Sequence, residues 1–522
     1  MRTSNIKTNY YILIAFLLSS IMVYVQYNYG YSWPYKSMHA YGTDDAFITY
    51  RYAFNLFSGN GLYFNINGDN VEGYSNFLYS LLLLPGFFFG KDNIYLYSVI
   101  LNFSLLIGIQ LLFYKILSHK FTKNHSILAI YLVAASPIIW AHVTTGLGSI
   151  LSLFAFVFFW DCIISSNTKY YLLKLIIASS LAILSRVDGF LLPLIGCFYL
   201  FCKFDKEDKN NKKNIIILFG YVVLFMAGYT LFRYFYYEDI ISNTFYAKVS
   251  GNLTQRFLSG IVYLLNNLVY NQGMFFYVFS IIFCLVMKIL ELFKYKKTNI
   301  SFPLIFVVLW ILYLLFIGGD FYHERFLLPI LLIGIYYFIK IISLNFSHKE
   351  QIIAILFILI LNFSLMFSDG RFSYQKKGYD AWINLGIFLH ENYTNKVLAI
   401  DAAGKVPYYS ELYTIDMLGL NNKYIGKMEF KRPKFVAGHN KYNPDYIFAN
   451  SPDLIAAWIQ PNLDLSWGIY KNKYTKSYKL KYLINSSRFD FVNNIYDVEF
   501  LSDDAIKKLV ANYFDYAVLV KK

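Results

Sequence analysis

The chain has 522 residues and a formal net charge of +15; 57% of its residues are hydrophobic, 20% aromatic and only 15% charged. A chain so poor in polar residues has too little polar surface to close over one water-soluble core, which excludes a single soluble globule. Its basic residues gather in short clusters between apolar runs, the pattern that orients membrane helices, so the positive charge does not point to a nucleic-acid partner.

In chain order, Arg2 and Lys7 precede an apolar stretch from Tyr10 to Tyr24. No small-x-small cleavage site follows it, so it reads as an uncleaved first helix with its basic end in the cytoplasm. Ten further apolar stretches lie at 95–115, 126–145, 147–164, 171–185, 189–202, 215–235, 273–292, 303–318, 326–346 and 351–368. Each is about long enough to cross a ~30 Å hydrocarbon core, the shortest only marginally, which predicts eleven spans. The stretch 77–89 is apolar too, but Pro85 and Gly86 interrupt it and it reads as an interfacial or re-entrant piece. With that piece left out, eighteen Lys and Arg fall on the inner side and eight on the outer side up to residue 370, as the positive-inside rule requires.

Two outer regions remain. Residues 30–74 form a loop too long for a mere connector. Residues 370–522 hold no spanning stretch and mix 21 Lys and Arg with 15 Asp and Glu. The expected architecture is therefore a polytopic α-helical membrane protein of about eleven transmembrane helices over 1–369, with a soluble α/β domain over 370–522 on the outer face. In that domain Val397–Asp401 and Tyr413–Ile415 read as short strands flanking a turn at Gly404 and Pro407. The four cysteines lie in or beside apolar runs and suggest no disulfide framework.

The first outer loop carries the densest chemistry. From Asp44 the pattern turns helical, with Phe47, Tyr50, Phe54 and Phe57 on one stripe and Asp44, Ile48, Arg51 and Asn55 on another. Such a helix could lie flat on the membrane with Asp44 and Arg51 toward solvent. Asp44 and Asp45 are adjacent carboxylates; their repulsion raises the pKa of one and suits it to proton abstraction. Equally, Thr43 or Asp44 could cap the helix, with Asp45 favouring its positive end. Lys248 fits either a phosphate contact or a snorkelling interfacial lysine. Asp320, His323, Glu324 and Arg325 cluster where a span meets the outer interface, and Arg186 with Asp188 sits between two short spans.

The run from Asp44 through Phe47, Arg51, Asn55, Gly59, Gly61, Phe64-Asn65 and Val71-Glu72-Gly73-Tyr74-Ser75-Asn76 resembles the first outer loop of bacterial GT-C-type glycosyltransferases. Within them it is most similar to the group of the mycobacterial terminal arabinofuranosyltransferase. Asn243–Lys248, Gly318-Gly319-Asp320-Phe321 with Arg325 and Pro329, Asp401–Gly404, Ile415–Leu420 and Gly438-His439 carry the likeness across most of the chain. It departs at Gly146-Leu147-Gly148, where similar proteins have Gly-Leu-Glu, and at Arg186-Val187-Asp188, where they have Arg-Pro-Glu.

The resemblance implies transfer of a hexose or pentose from a polyprenyl-phosphate donor to an envelope glycan, lipid or protein acceptor, at the outer face of the bacterial cytoplasmic membrane. Asp44 or Asp45 would be the base of an inverting displacement. Arg51, Arg186, Lys248, Asp320, His323, Glu324 and Arg325 would serve the donor, and Tyr408, Tyr409, Asp416 and His439 the acceptor. The scheme needs no nucleotide; Asp44, Asp45, Asp320 and His323 are the residues that would hold a divalent cation such as Mg, Mn or Ca. A transporter or flippase of lipid-linked glycans is the rival reading, but the distinctive charges lie at one interface and no internal repeat is visible.

Overall fold

The computed structural model describes residues 2–29, 42–166, 168–203, 209–249, 251–270, 272–295, 300–368, 380–429, 435–436, 438–486 and 494–522. The start of the first long loop, the domain boundary near 370 and the side chain of His323 lie outside the described residues.

All eleven predicted spans fall on helical structure, but not all are long enough to cross alone. Among the described residues five helices meet the length and apolarity that a span requires: Thr8–Asn28, Lys91–Ser118, Lys212–Tyr237, Met274–Tyr295 and Glu324–Asn345. A sixth candidate, Lys123–Ala134 with Pro137–Thr144, bends by 53°. Pro137 accounts for the break, because its ring and missing N–H cannot continue the preceding helix. Ser149–Ile164, Tyr171–Ser185, Leu191–Cys202 and Phe302–Ile317 have 12 to 16 residues. At ~1.5 Å per residue these four reach about 18–24 Å, short of the ~30 Å core. They lie largely against other helices, in a core that includes Phe156, Trp160, Leu175, Phe302 and Leu314. Segment 77–89 is a six-residue helix followed by a 3-10 turn, too short to cross, with Phe88 and Phe89 exposed.

One element was not anticipated. Leu253–Tyr270, read as outer loop, is a helix with one apolar side, packed against Phe302–Ile317.

The described residues from Asp380 onward form a mixed sheet of six strands: β1 Val397–Ile400, β2 Tyr413–Asp416, β3 Leu454–Trp458, β4 Tyr478–Ile484, β5 Ile495–Asp497 and β6 Tyr516–Lys521. Their order is β2-β1-β3-β6-β4-β5, with β1 parallel to β2 and β3 and the remaining pairs antiparallel. Alternate residues feed two cores. Leu398, Ile400, Ala456 and Val518 join Trp382 and Leu385 of the covering helix Ala381–Asn392, while Ala399, Ile455, Ala457 and Leu519 pack on the opposite face. Both predicted strands are present, but the predicted turn between them is a short helix, Lys405–Ser410. That helix rests on the helix Asp44–Phe57.

Candidate active site

Asp44 and Asp45 open the helix Asp44–Phe57 behind an extended Thr43, whose hydroxyl bonds the Thr145 carbonyl at 3.2 Å and leaves the helix without a side-chain cap. Asp44 does cap a helix, but one from the sheet domain: its Oδ1 accepts the Lys405 N–H at 2.8 Å and its Oδ2 the Gly404 N–H at 3.0 Å. Glycine is required there, since a Cβ at 404 would stand 1.9 Å from the Asp44 carbonyl oxygen. Lys405 in turn ion-pairs with Asp380 at 2.6 Å, both fully buried. Burial pushes the Asp44 carboxyl up to about 7; the Lys405 N–H bond opposes this and the charge of Asp45 adds to it. Repulsion between the aspartates is thus a lesser cause than burial.

Asp45 is placed differently. It lines a cavity of about 320 Å³ between the helices and the sheet domain, and a small polar pocket of about 30 Å³ beneath it. Among the described residues no ion pair or hydrogen bond ties its carboxylate.

The opposite wall comes from three separate helix ends. Arg325 donates to Asp320 at 2.7 Å, Arg186 grips Asp188 through two bonds of 2.8 and 3.1 Å, and Lys248 closes the short helix Asn243–Lys248. Burial and the nearby Arg325 lower the pKa of the Lys248 ammonium, and Asp45 and Asp320 oppose that shift. Lys248 makes no ion pair among the described residues.

Arg186, Lys248, Asp320 and Arg325 also form the head of a second cavity of about 550 Å³. Its body is apolar, with Phe190, Met226, Ile240, Ile241, Phe245 and Phe316 among its walls, and several of these are exposed on the outside. A polar chamber and an apolar groove therefore share one wall, where Asp45 faces a set of cations. That arrangement suits a ligand with a long apolar tail and an anionic head.

Several predicted site residues lie elsewhere. Arg51 faces neither solvent nor cavity: its guanidinium donates to the carbonyls of Phe64 (2.6 Å), Pro407 (2.5 Å) and Leu412 (2.8 Å) and to Asn65 Oδ1 (3.0 Å). Burial lowers its pKa to about 10. It ties loop to sheet domain, with four of its five N–H donors spent on that seat. Tyr408 is buried against Phe47, Tyr50 and Phe54, its hydroxyl on the Lys91 carbonyl, and Tyr409 packs beside Phe47. Phe47, Tyr50 and Phe54 of the aromatic stripe expected on the membrane are covered by these tyrosines, because the sheet domain supplies an apolar partner that removes them from water. Phe57 stays exposed beside Phe87 and Phe88. Glu324 is buried away from the cavities. Asp416 borders the main cavity, but its oxygens accept from the N–H groups of Leu418, Gly419 and Asn421 and from the Asn421 side chain. His439 does line the cavity, its ring 4.6 Å from that of Phe321.

The sequence reading missed the roof. Trp382, Trp458 and Trp467, unmarked in the sequence, line the cavity from the sheet domain beside Asp401, which the resemblance had included. Asp401 follows β1 and Trp458 ends β3, so both sit at the carboxyl ends of parallel strands, where open α/β sheets place ligands. The strand read at 397–401 carried that signal. Gly148, where a carboxylate was expected, lines the small pocket; a Cβ there would meet Asn76 Nδ2 at 2.7 Å and Tyr79 Cγ at 3.0 Å.

No group of three or more His, Cys, Asp or Glu side chains able to hold a metal ion occurs among the described residues. Of the expected cation set, both Asp44 oxygens already accept backbone N–H groups, whereas the Asp45 carboxylate and Asp320 Oδ2 have no hydrogen-bond partner among the described residues and are the oxygens that would hold a cation.

Comparison with known proteins adds the fold. A family model described as a domain of unknown function, DUF8728, matches residues 371–501. No curated protein matches the sequence. Among solved structures, ArnT from Cupriavidus metallidurans bound to undecaprenyl phosphate is similar at a TM-score of 0.55 and 8% identity, covering 97% of both chains. The Archaeoglobus fulgidus oligosaccharyltransferase AglB, solved with an inhibitory peptide and a dolichol-phosphate, is similar at a TM-score of 0.56 and 12% identity, over 95% of this chain and 76% of that one. AglB was also solved with Zn and sulfate, at a TM-score of 0.54. The chain thus shares the fold of the ArnT and AglB structures over nearly its whole length.

Proposed function

We propose that this protein is a glycosyltransferase that moves one sugar from a polyprenyl-phosphate donor to an envelope acceptor at the outer face of the bacterial cytoplasmic membrane. The observation that carries this reading is the shared wall at which an apolar groove headed by Arg186, Lys248 and Arg325 meets a polar chamber containing Asp45. The polyprenyl tail lies in the groove and its phosphate among the cations. The anomeric carbon then projects toward Asp45.

Asp45 takes the proton of the acceptor hydroxyl as that oxygen attacks, and the bond from anomeric carbon to phosphate oxygen breaks. The departing polyprenyl phosphate carries the new negative charge, which Lys248, Arg186 and Arg325 stabilise. One base and one displacement invert the anomeric centre. Asp44 is a positioning residue, since both its oxygens hold the sheet domain. The bundle crosses the membrane eleven times, its short helices completing the crossing in protein surroundings, and residues 370–522 lie outside.

Mass spectrometry of surface glycans and polyprenyl-phosphate sugars tests this in a deletion strain complemented with wild type or Asp45→Asn at matched expression. The variant should lose one glycan residue and accumulate its lipid-linked donor. Full complementation by the variant would refute Asp45 as base, and an unchanged glycan profile in the deletion strain would refute the transferase.

A further inference from the structure

We infer that the acceptor is a neutral saccharide whose terminal ring is received by the tryptophan wall of the sheet domain; this deepens the proposed function and rests on it. The roof of the main cavity is aromatic, built from Trp382, Trp458 and Trp467 with His439 beside them. Its carboxylates are spent. Asp401 accepts from Trp467 Nε1 at 2.7 Å and from the Tyr516 hydroxyl at 2.6 Å, and Asp416 accepts four bonds from its own loop. The cavity's unspent charges, Asp45 and Lys248, lie on the opposite wall, where the donor reacts. A cationic or anionic acceptor would therefore meet a roof with no available counter-charge, and desolvating its charge there would be costly.

The roof offers what a sugar ring uses: broad amphipathic faces for its C–H surface, and donors for its hydroxyl oxygens. The indole N–H groups of Trp382 and Trp458 have no acceptor among the described residues, although Trp382 is 1% exposed. Neither is a sealed, unsatisfied donor, so both stay reachable for a hydroxyl oxygen of a ligand in the cavity.

Trp467 shows that the wall is held on purpose. Its φ of 65° lies in the left-handed region, unfavourable for a bulky residue. Its bond to Asp401 and the bridges of Leu465 to Ile459 and Ile469 keep it there. A volume of about 320 Å³ sits at the low end of small-ligand cavities, roughly 300–1,000 Å³. It suits one or two rings.

The full chain in lipid nanodiscs is titrated with methyl pyranosides and furanosides of common sugars and with a Ser/Thr-containing peptide, read by tryptophan fluorescence. Undecaprenyl phosphate is tested separately by thermal shift. At least one glycoside should bind saturably. Trp458→Leu should weaken it about tenfold, the loss of one ring-stacking contact, and Trp458→Phe less, with both variants still stabilised by undecaprenyl phosphate. Undecaprenyl phosphate binding without any saturable glycoside, or glycoside affinity unmoved in both variants, would overturn the inference and leave the transferase standing. Peptide binding lost in Trp458→Leu would replace the saccharide with a protein acceptor. No stabilisation by undecaprenyl phosphate would remove the transferase reading itself.

Discussion

Asp44→Asn separates the proton on this carboxyl from every other titrating group. Asp44 is raised from 3.8 to about 7 in the folded protein; at ~1.4 kcal/mol per unit, this amounts to about 4 kcal/mol of pH-dependent stability. The folded chain holds the proton more tightly than the unfolded chain, so wild-type stability falls as pH rises from about 4 to about 7 and levels off above. Asparagine has nearly the shape of the neutral acid and does not titrate. It keeps one acceptor for the N–H pair of Gly404 and Lys405 and turns an NH2 toward the other, costing about 1–2 kcal/mol at every pH. Asp401, raised by burial to about 6, tilts wild type and variant alike and cancels in their difference. For 522 residues at ~2.1 cal/mol/K each, the unfolding entropy is ~1.1 kcal/mol/K, so about 4 kcal/mol reads as about 4 °C. Scanning fluorimetry in nanodiscs at pH 4 and pH 8 should find Tm of wild type minus variant smaller by about that much at the higher pH. A difference independent of pH would show that burial does not hold this proton.

Other expectations follow from the same geometry. Asp45→Asn should lower kcat by about 10²–10⁴-fold, the loss of a general base, with Tm unchanged because nothing in the fold leans on that carboxylate; an equal fall in Tm would reassign it to structure. Arg51→Met should destabilise by about 3 kcal/mol or more, since four buried charge-assisted hydrogen bonds are lost, and limited proteolysis should then release the sheet domain; resistance equal to wild type would refute its role as a tie. Gly404→Ala should abolish activity through the 1.9 Å clash with the Asp44 carbonyl, read by turnover and by loss of the wild-type thermal transition. Lys248→Ala should weaken undecaprenyl phosphate about tenfold, as expected for one charge-assisted contact, while Lys248→Arg should retain most of it.

The sequence exposes features that are local or that violate the solvent. Asp44 and Asp45 stand out as neighbours, and Arg186, Lys248, Asp320 and Arg325 as charges at the edges of apolar runs; the fold gathers most of them. What stays hidden depends on a partner far along the chain. Arg51 looks like a free cation because the carbonyls of Pro407 and Leu412 that consume it have no signature in residue types. Tyr408 and Tyr409 suggest a sugar platform, but the stripe of Phe47, Tyr50 and Phe54 needed a cover, and that demand prevailed. Trp382, Trp458 and Trp467 become one wall only through the strand order that sets β1 beside β3. The helix Leu253–Tyr270 was legible in its spacing, with Leu253, Phe257 and Ile261 four residues apart. Its polar residues obscured it among stronger spans.

Beside the packing of Tyr408 and Tyr409, much of the polar fastening of the sheet domain is by groups that recognise main chain. Asp44 takes the amides of residues 404 and 405; Arg51 takes the carbonyls of residues 407 and 412. Asn243 takes the carbonyls of residues 419, 420 and 422, while Lys423 reaches back to those of residues 237 and 238. A socket of this kind specifies the path of the visiting backbone and leaves most of its side chains unconstrained. The roof can therefore be rebuilt for a different acceptor without disturbing the seat, so exchanging the strands and loops around Trp458 and Trp467 is a route to altered specificity on an unaltered membrane base.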